Sequence, residues 1–362
     1  MPDKKILIIG PFPPIINGVT VSNDFLMRSL ILQGKKMSKI NTETGSIASK
    51  QGDKISLMKI ISFLTVYVYI YKIIGKNKVY MTPGQTFWGF AKYAPFVMFC
   101  KMLGIPYFIH IHGGYLCKSY LNLRGTKKKV FDKMINGSRG LIALSEGLAE
   151  EMRQTFSNVD IYVIENFYDI KLIEEPLSEK QNEKVRFLFL SNLMLGKGIL
   201  DFLDALIILQ NTTNIDFEIA IAGNTEKGMS KIINNKLISL KGKIIFFGIA
   251  DFTKKKELLY WSNIFVLPTW YAMEGQPLSI IEAYVTGNIV VSTWQGGIKD
   301  ISDYDTFFRA KQQNAEDLST VLIHVIGELK SLMPKTIDTA KKTQMRFAPE
   351  LFISKIQAIL AS

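Results

Sequence analysis

Cysteine and histidine are scarce in this chain. Its 362 residues include two cysteines and three histidines. Cys100 and Cys117 cannot build a disulfide scaffold, and their spacing offers no metal-ligand set. Both lie among apolar residues and read as buried, inert thiols. No apolar run approaches the roughly 20 residues that a membrane-spanning helix needs. The most apolar stretch, Ile60–Tyr71, has Ser62 and Thr65 inside it and Lys59 and Lys72 beside it. The start, Met1-Pro2-Asp3-Lys4-Lys5, leads into only Ile6–Ile9 before a Gly-Pro turn, so a secretory signal is not expected. There is no internal repeat and no low-complexity tract.

Apolar surface is abundant. Hydrophobic residues make up 48% of the chain and charged residues 21%, which excludes a disordered, collagenous or coiled-coil protein. The length points to two or three domains. Lys and Arg total 44 against 32 acids, a net charge of +12. Residues 1–170 hold 22 basic and 11 acidic side chains, so nearly all of the excess lies in the first half. A basic half suits an anionic partner: nucleic acid, a membrane surface or a phosphorylated substrate. Ile60–Tyr71, with three tyrosines at one end, fits a buried helix or a helix lying in a membrane interface. The same two readings apply to the aromatic stretch Phe87–Leu103.

Alternation of short apolar runs with helical stretches predicts an α/β architecture with parallel sheets. The first unit opens with a strand at Lys5–Ile9. A Gly-Pro loop follows, with a turn at Asn17-Gly18, and a helix from Val21 stops at Gly34. Further strands are expected at Val79–Met81, Tyr107–Ile111, Gly140–Leu144 and Ile161–Ile164. A polar linker without aliphatic periodicity separates a second unit, whose strands are expected at Val185–Leu190, Phe217–Ala222, Ile244–Phe247, Ile264–Leu267 and Ile289–Val291. Its helices are expected near Gly198–Gln210, Met229–Leu240, Thr253–Trp261 and Pro277–Thr286, with closing helices near Ala315–Leu332 and Pro349–Leu360. The expected division is 1–168, a linker 169–182, a second domain 183–340, and a terminal helix in 341–362 that packs back on the first. Two doubly wound domains facing a cleft would bind ligands beyond the carboxyl ends of their strands.

One segment concentrates the chemistry. Leu267-Pro268-Thr269 ends a strand, Glu274-Gly275 lie in a loop, and Pro277 suits the first helical position. Glu274 therefore stands beside a helix N-terminus, whose free N–H groups attract phosphate. Glu282 falls about 7.5 Å further along the axis. Carboxylates accept hydrogen bonds from sugar hydroxyls. The pair also fits a plainer reading, a dipole-stabilising acid and a solvated surface residue. His110 and His112 share one face at a strand end before Gly113-Gly114, where a base, a hydroxyl ligand or an ordinary core histidine would fit. No third metal ligand is evident. Asp303-Tyr304-Asp305 reads as a polar turn rather than a metal motif.

The Glu274/Glu282 spacing resembles the signature of retaining glycosyltransferases of family 4, which have the GT-B fold. Leu267-Pro268-Thr269, Glu282-Ala283, Gly287, Val290–Thr293 and Gly296-Gly297-Ile298 are similar to that family's run. Leu190–Gly198 resembles its Gly-Arg-Leu and Lys-Gly stretch, Gly10–Gly18 its N-terminal loop, and Ile164-Glu165-Asn166 its Ile-Pro-Asn. The resemblance implies that Glu274 contacts the transferred sugar and Glu282 the ribose. It gives the diphosphate to Lys197 and to the Gly275, Gln276, Pro277 and Leu278 segment, with Asn17 and Gly18 close to the donor. His112, and less directly His110, would lie near sugar and acceptor. Three positions depart from the pattern: Asn192 stands where the family has Arg, Asn17 where it has Gly, and Gln276-Pro277 where it has Phe-Gly. The reaction implied is transfer from a nucleotide-sugar, a UDP-sugar first, to a lipid-linked saccharide of bacterial surface polysaccharide (O-antigen or capsule). It would run without metal or cofactor, at the cytoplasmic, inner face of the membrane, on an anionic membrane surface and without nucleic acid. A UDP-sugar epimerase and a non-enzymatic basic membrane- or nucleic-acid-binding protein are the alternatives.

Overall fold

The computed structural model describes residues 5–43, 63–173, 180 and 183–361. The chain divides into two compact units, Met1–Asn166 with Phe352–Ser362, and Phe167–Leu351.

The first unit is a six-stranded parallel sheet: β1 (Lys5–Gly10), β2 (Lys36–Asn41), β3 (Lys78–Met81), β4 (Tyr107–His110), β5 (Gly140–Ala143) and β6 (Ile161–Val163). Their order is β2-β1-β3-β4-β5-β6, so the winding reverses between β1 and β3. β3, β4 and β5 are buried along their whole length, which is why they read as unbroken apolar runs. The helix Gly18–Leu32 starts earlier than the apolar pattern suggests, and Asn17-Gly18 is not a turn. Asn17 is extended, and its side-chain oxygen accepts the Val19 and Thr20 amides at 3.0 Å. The Thr20 hydroxyl accepts the Asn17 amide at 2.9 Å in return, which completes a capping box.

Of the apolar stretch Ile60–Tyr71, residues 60–62 lie outside the described residues. In the rest, Phe63 and Leu64 are α-helical with Phe63 buried, and the helix expected to be buried is only partly so. Thr65–Ile73 is a 3₁₀ helix that buries Val66 and Ile73 and leaves one edge in solvent. Phe87–Leu103 forms two helices, Phe87–Ala91 and Ala94–Met102, divided at Lys92-Tyr93.

The second unit is also a six-stranded parallel sheet. Its strands are β7 (Val185–Leu190), β8 (Phe217–Ala222), β9 (Ile244–Gly248), β10 (Ile264–Leu267), β11 (Ile289–Ser292) and β12 (Phe307–Arg309). Their order, β12-β11-β10-β7-β8-β9, is the dinucleotide-fold order and puts the switch point between β7 and β10. The helix Ile199–Thr212 buries six side chains, among them Phe202, Leu206 and Leu209. The expected helix near Ala315–Leu332 is interrupted at Glu328, and its second part runs on as Leu329–Arg346 despite Pro334. In the polar stretch before β7, Lys180 donates to the carbonyls of Leu259 and Ser262 at 2.5 and 2.7 Å. It thus satisfies carbonyls at the C-terminal end of the helix Phe252–Trp261. Burial holds the Lys180 ammonium well below its usual range.

Candidate functional site

In the second unit, the residues that matter follow the two strands flanking the switch point. Lys197 belongs to the turn after β7, and Glu274 to the loop after β10. Lys197 Nζ lies 2.6 Å from Glu274 Oε2, with side chains only 14% and 7% exposed. The buried Thr269 hydroxyl donates to the same oxygen at 2.9 Å. The backbone fixes both loops. The Trp270 amide donates to the Gly196 carbonyl at 2.8 Å, and the Trp270 indole N–H reaches Asp201 Oδ2 at 3.1 Å. Burial pushes the Asp201 carboxyl up, against the pull of that indole hydrogen bond.

Two glycines are required by geometry. Gly198 has φ +76°, and a Cβ there would sit 2.3 Å from the Pro268 carbonyl oxygen. Gly296 has φ +56°, and a Cβ there would sit 2.1 Å from the Glu274 carbonyl oxygen. That close approach lets the Gly297 amide donate to the Gly275 carbonyl at 2.7 Å. Gly296 and Gly297 therefore hold the loop that carries Glu274 and Gly275.

The helix Leu278–Val285 follows. Pro277 is its N-cap, one position before the expected first turn, because its ψ of 123° is extended while its φ of −64° would suit either place. No side chain caps this terminus. The N–H groups that open a helix suit an anion, although the Ile280 amide here turns back to the Pro277 carbonyl at 3.2 Å. Gln276 is buried beside it. Glu282 is also buried, which removes the surface-residue reading. Its Oε1 accepts from Lys255 Nζ at 2.5 Å. Asn192 is half-buried in the loop after β7, and its carbonyl accepts the Met194 amide at 3.0 Å.

Sequence reasoning missed Lys255, Thr269 and Trp270. Lys255 lies in the first turn of the helix after β9, at the same sheet edge, but no motif marks it. Thr269 was visible only as part of Leu-Pro-Thr, without a role.

In the first unit, His110 ends β4 and His112 follows it, with ring centroids 4.1 Å apart. Tyr80 of β3 hydrogen-bonds His110 Nδ1. Burial pushes the Tyr80 phenol up and holds His110 well below its usual value, with the neighbouring His112 adding to the latter. Both groups are therefore neutral, and either the phenol or the ring nitrogen can supply the hydrogen of this bond. Burial also lowers His112, to about 3. The Nε2 atoms of both rings are buried without a hydrogen-bond partner among the described residues. Asn17 and Gly18 follow β1 at the first unit's own switch point, where they open a helix N-terminus.

Residues 184–328, within the second unit, match the family model described as glycosyl transferases group 1. No curated protein matches the chain. Among solved structures, sucrose-phosphate synthase from Thermosynechococcus elongatus is similar with a TM-score of 0.75 at 13% identity, covering 99% of this chain and 100% of that one. A glycosyltransferase from Rickettsia africae has 0.71 at 19% identity over 98% and 97%. The Anabaena protein HepE, determined in complex with UDP and glucose, has 0.72 at 14% identity over 99% of each chain. The two parallel six-stranded sheets are those of the GT-B fold. No helix among the described residues is long and apolar enough to cross a membrane.

Proposed function

We propose that this protein is a retaining, family 4 glycosyltransferase. It moves a sugar from a nucleotide-sugar, a UDP-sugar first, to a hydroxyl of a lipid-linked saccharide in bacterial surface-polysaccharide (O-antigen or capsule) assembly. The observation that carries this reading is the buried Lys197–Glu274 pair, placed at the switch point beside the uncapped N-terminus of Leu278–Val285. A carboxylate for sugar hydroxyls and a cation for a leaving diphosphate stand side by side.

Each group then has a task. Glu274 orients the donor sugar, and Thr269 and Lys197 fix its carboxylate. Glu282 accepts the ribose hydroxyls while Lys255 steadies its other oxygen. Lys197 and the first-turn amides of Leu278–Val285 take the charge that develops as the bond from sugar C1 to the phosphate oxygen breaks. The acceptor oxygen forms the new bond to C1 on the same face, and its proton passes to the departing phosphate oxygen. His112 lies near sugar and acceptor as a neutral hydrogen-bonding group. With Asn192 in place of the family's arginine, Lys197 carries the cationic share of this work. Lysine and helix amides supply the positive charge, so no metal or cofactor is needed. The basic first half fits an anionic membrane surface at the inner face of the cytoplasmic membrane, where a lipid-linked acceptor resides. Reports on UDP and UDP-sugar complexes of structurally similar proteins support a uridine donor.

Thermal shift with UDP-, GDP- and ADP-sugars, on wild type and on Glu282→Ala, tests the donor assignment. Stabilisation by the UDP series alone, lost in the variant, is expected. No stabilisation by any nucleotide would refute the transferase reading, and turnover of a UDP-sugar without acceptor would favour an epimerase.

A further inference from the structure

The first unit carries an exposed apolar edge that the transfer chemistry does not use. A 3₁₀ helix has three residues per turn, so positions three apart line up along one edge. In Thr65–Ile73 and its cap that edge is Thr65, Val68, Tyr71 and Ile74, and all four are exposed. Val68 is 70% exposed and Ile74 62%. The helix Ala94–Met102 packs beside it, through contact of the Tyr67 and Phe96 rings 5.4 Å apart. This second helix presents Met98 and Met102, four apart and so on one face, at 69% and 70% exposure. Nine of the large exposed hydrophobic side chains fall from Leu64 to Leu103. Two neighbouring short helices that each turn large apolar side chains outward make a surface in need of a cover.

The charge around it says what the cover is. The sequence has no Asp or Glu between Asp53 and Asp132, while 12 lysines and arginines fall in that interval. At the end of the 3₁₀ helix, Lys5 and Lys72 lie close enough to Lys76 that both depress its ammonium, after burial. None of these three lysines forms an ion pair among the described residues. Lys72 lies over the Tyr69 ring at 4.8 Å, on the edge next to the apolar one, and its ammonium reaches the Lys39 carbonyl at 3.5 Å. Apolar residues with interfacial tyrosines, rimmed by lysines that have no carboxylate partner among the described residues, match a bilayer bearing anionic headgroups. A nucleic acid would use the lysines but leave the valine, isoleucine and methionine edge wet.

We propose that the exposed edge of Thr65–Ile73 and the Met98/Met102 face of Ala94–Met102 dock this protein on an anionic lipid bilayer, with Lys5, Lys72 and Lys76 engaging headgroups. The inference deepens the membrane-surface part of the proposed function and rests on it.

Vesicle co-sedimentation tests it, with phosphatidylcholine alone and phosphatidylcholine mixed with phosphatidylglycerol. Three proteins are compared: wild type, the exposed-face variant Val68→Ser/Tyr71→Ser/Met102→Ser, and Lys72→Gln/Lys76→Gln. All substituted positions are at the surface or partly so, and circular dichroism confirms that the variants are folded. Wild type should bind the mixed vesicles, and binding should fall steeply with salt. The lysine variant should bind about thirtyfold more weakly, and the apolar variant should lose binding to both vesicle types. UDP binding, read separately by thermal shift, should be unchanged in every variant. If wild type binds and both variants bind equally well, this face is wrong. If wild type binds no vesicle while UDP still binds, the membrane reading itself falls and the donor reading stands. If the apolar variant instead abolishes self-association seen in sedimentation velocity, with no vesicle binding by wild type, the face is an interface between copies and the proposal is overturned.

Discussion

Lys197 Nζ and Glu274 Oε2 meet at 2.6 Å from loops 77 residues apart, one after β7 and one after β10. The switch point brings them together, and burial makes each dependent on the other. Removing one member of a buried pair leaves a charge without a partner, at a cost of roughly 3–5 kcal/mol. Lys197→Met should therefore destabilise the protein by about 3 kcal/mol in urea unfolding and abolish transfer. Lys197→Met/Glu274→Gln should regain much of the stability and none of the activity. Equal stability of the single variant and wild type would show that the pair is not formed in solution.

Gly296 supports the Glu274 loop through its backbone alone. Alanine there would carry a Cβ into the Glu274 carbonyl and hold a left-handed φ. The combined strain and overpacking are worth about 3 kcal/mol. Gly296→Ala should lower the urea midpoint and weaken donor binding together. A variant that bound donor normally would show that the loop tolerates displacement.

Lys255 and Glu282 form the second buried contact of the site, at 2.5 Å. Lys255→Met should raise the donor KM about tenfold, the worth of one charge-assisted hydrogen bond. The kcat should change little, since ribose binding is the same in ground and transition states. A fall in kcat with unchanged KM would place Lys255 at the leaving group instead.

The buried histidines set a pH dependence. His110 is held well below its usual value and His112 down to about 3, whereas the unfolded chain titrates both near 6.5. Between these values the unfolded state binds more protons, so stability rises with pH there. Stability should be full above about pH 6.5 and fall progressively toward pH 3, by at most about 1.4 kcal/mol per pH unit for each histidine. Urea unfolding at pH 7, 6 and 5 checks this. His110→Gln/His112→Gln should flatten the slope whatever its absolute stability, and an unchanged slope would assign the acid sensitivity elsewhere.

Legibility in the sequence followed burial. β10 and β11, covered on both faces, read as continuous apolar runs, and their boundaries matched within a residue. The edge strands β2 and β12 did not read as strands. Lys36-Met37-Ser38-Lys39-Ile40-Asn41 is polar because an edge strand meets water, and Phe307–Arg309 has only three residues. In the candidate site, the spacing of Glu274 and Glu282 was visible because both stand near one helix N-terminus. Lys197 was singled out too, but not its pairing with Glu274, and Lys255 was not, because Lys197–Glu274 and Lys255–Glu282 are contacts between elements that only the folded sheet edge creates. The helix start at Gly18 was hidden by glycine, and Asn17 as a cap was the available signal.

The helix Leu278–Val285 has a consequence for how such a protein can change. Six of its eight residues are buried, and Glu282 is one of them. One side of this element is packed in the domain core and the other, in the proposed function, serves the donor, which leaves it almost no neutral positions. Adaptation to a new donor would have to begin upstream, in the partly open Tyr271-Ala272-Met273 segment, where side chains can be exchanged without disturbing the interior. The loop is thus the adjustable part of the instrument and the helix its frame.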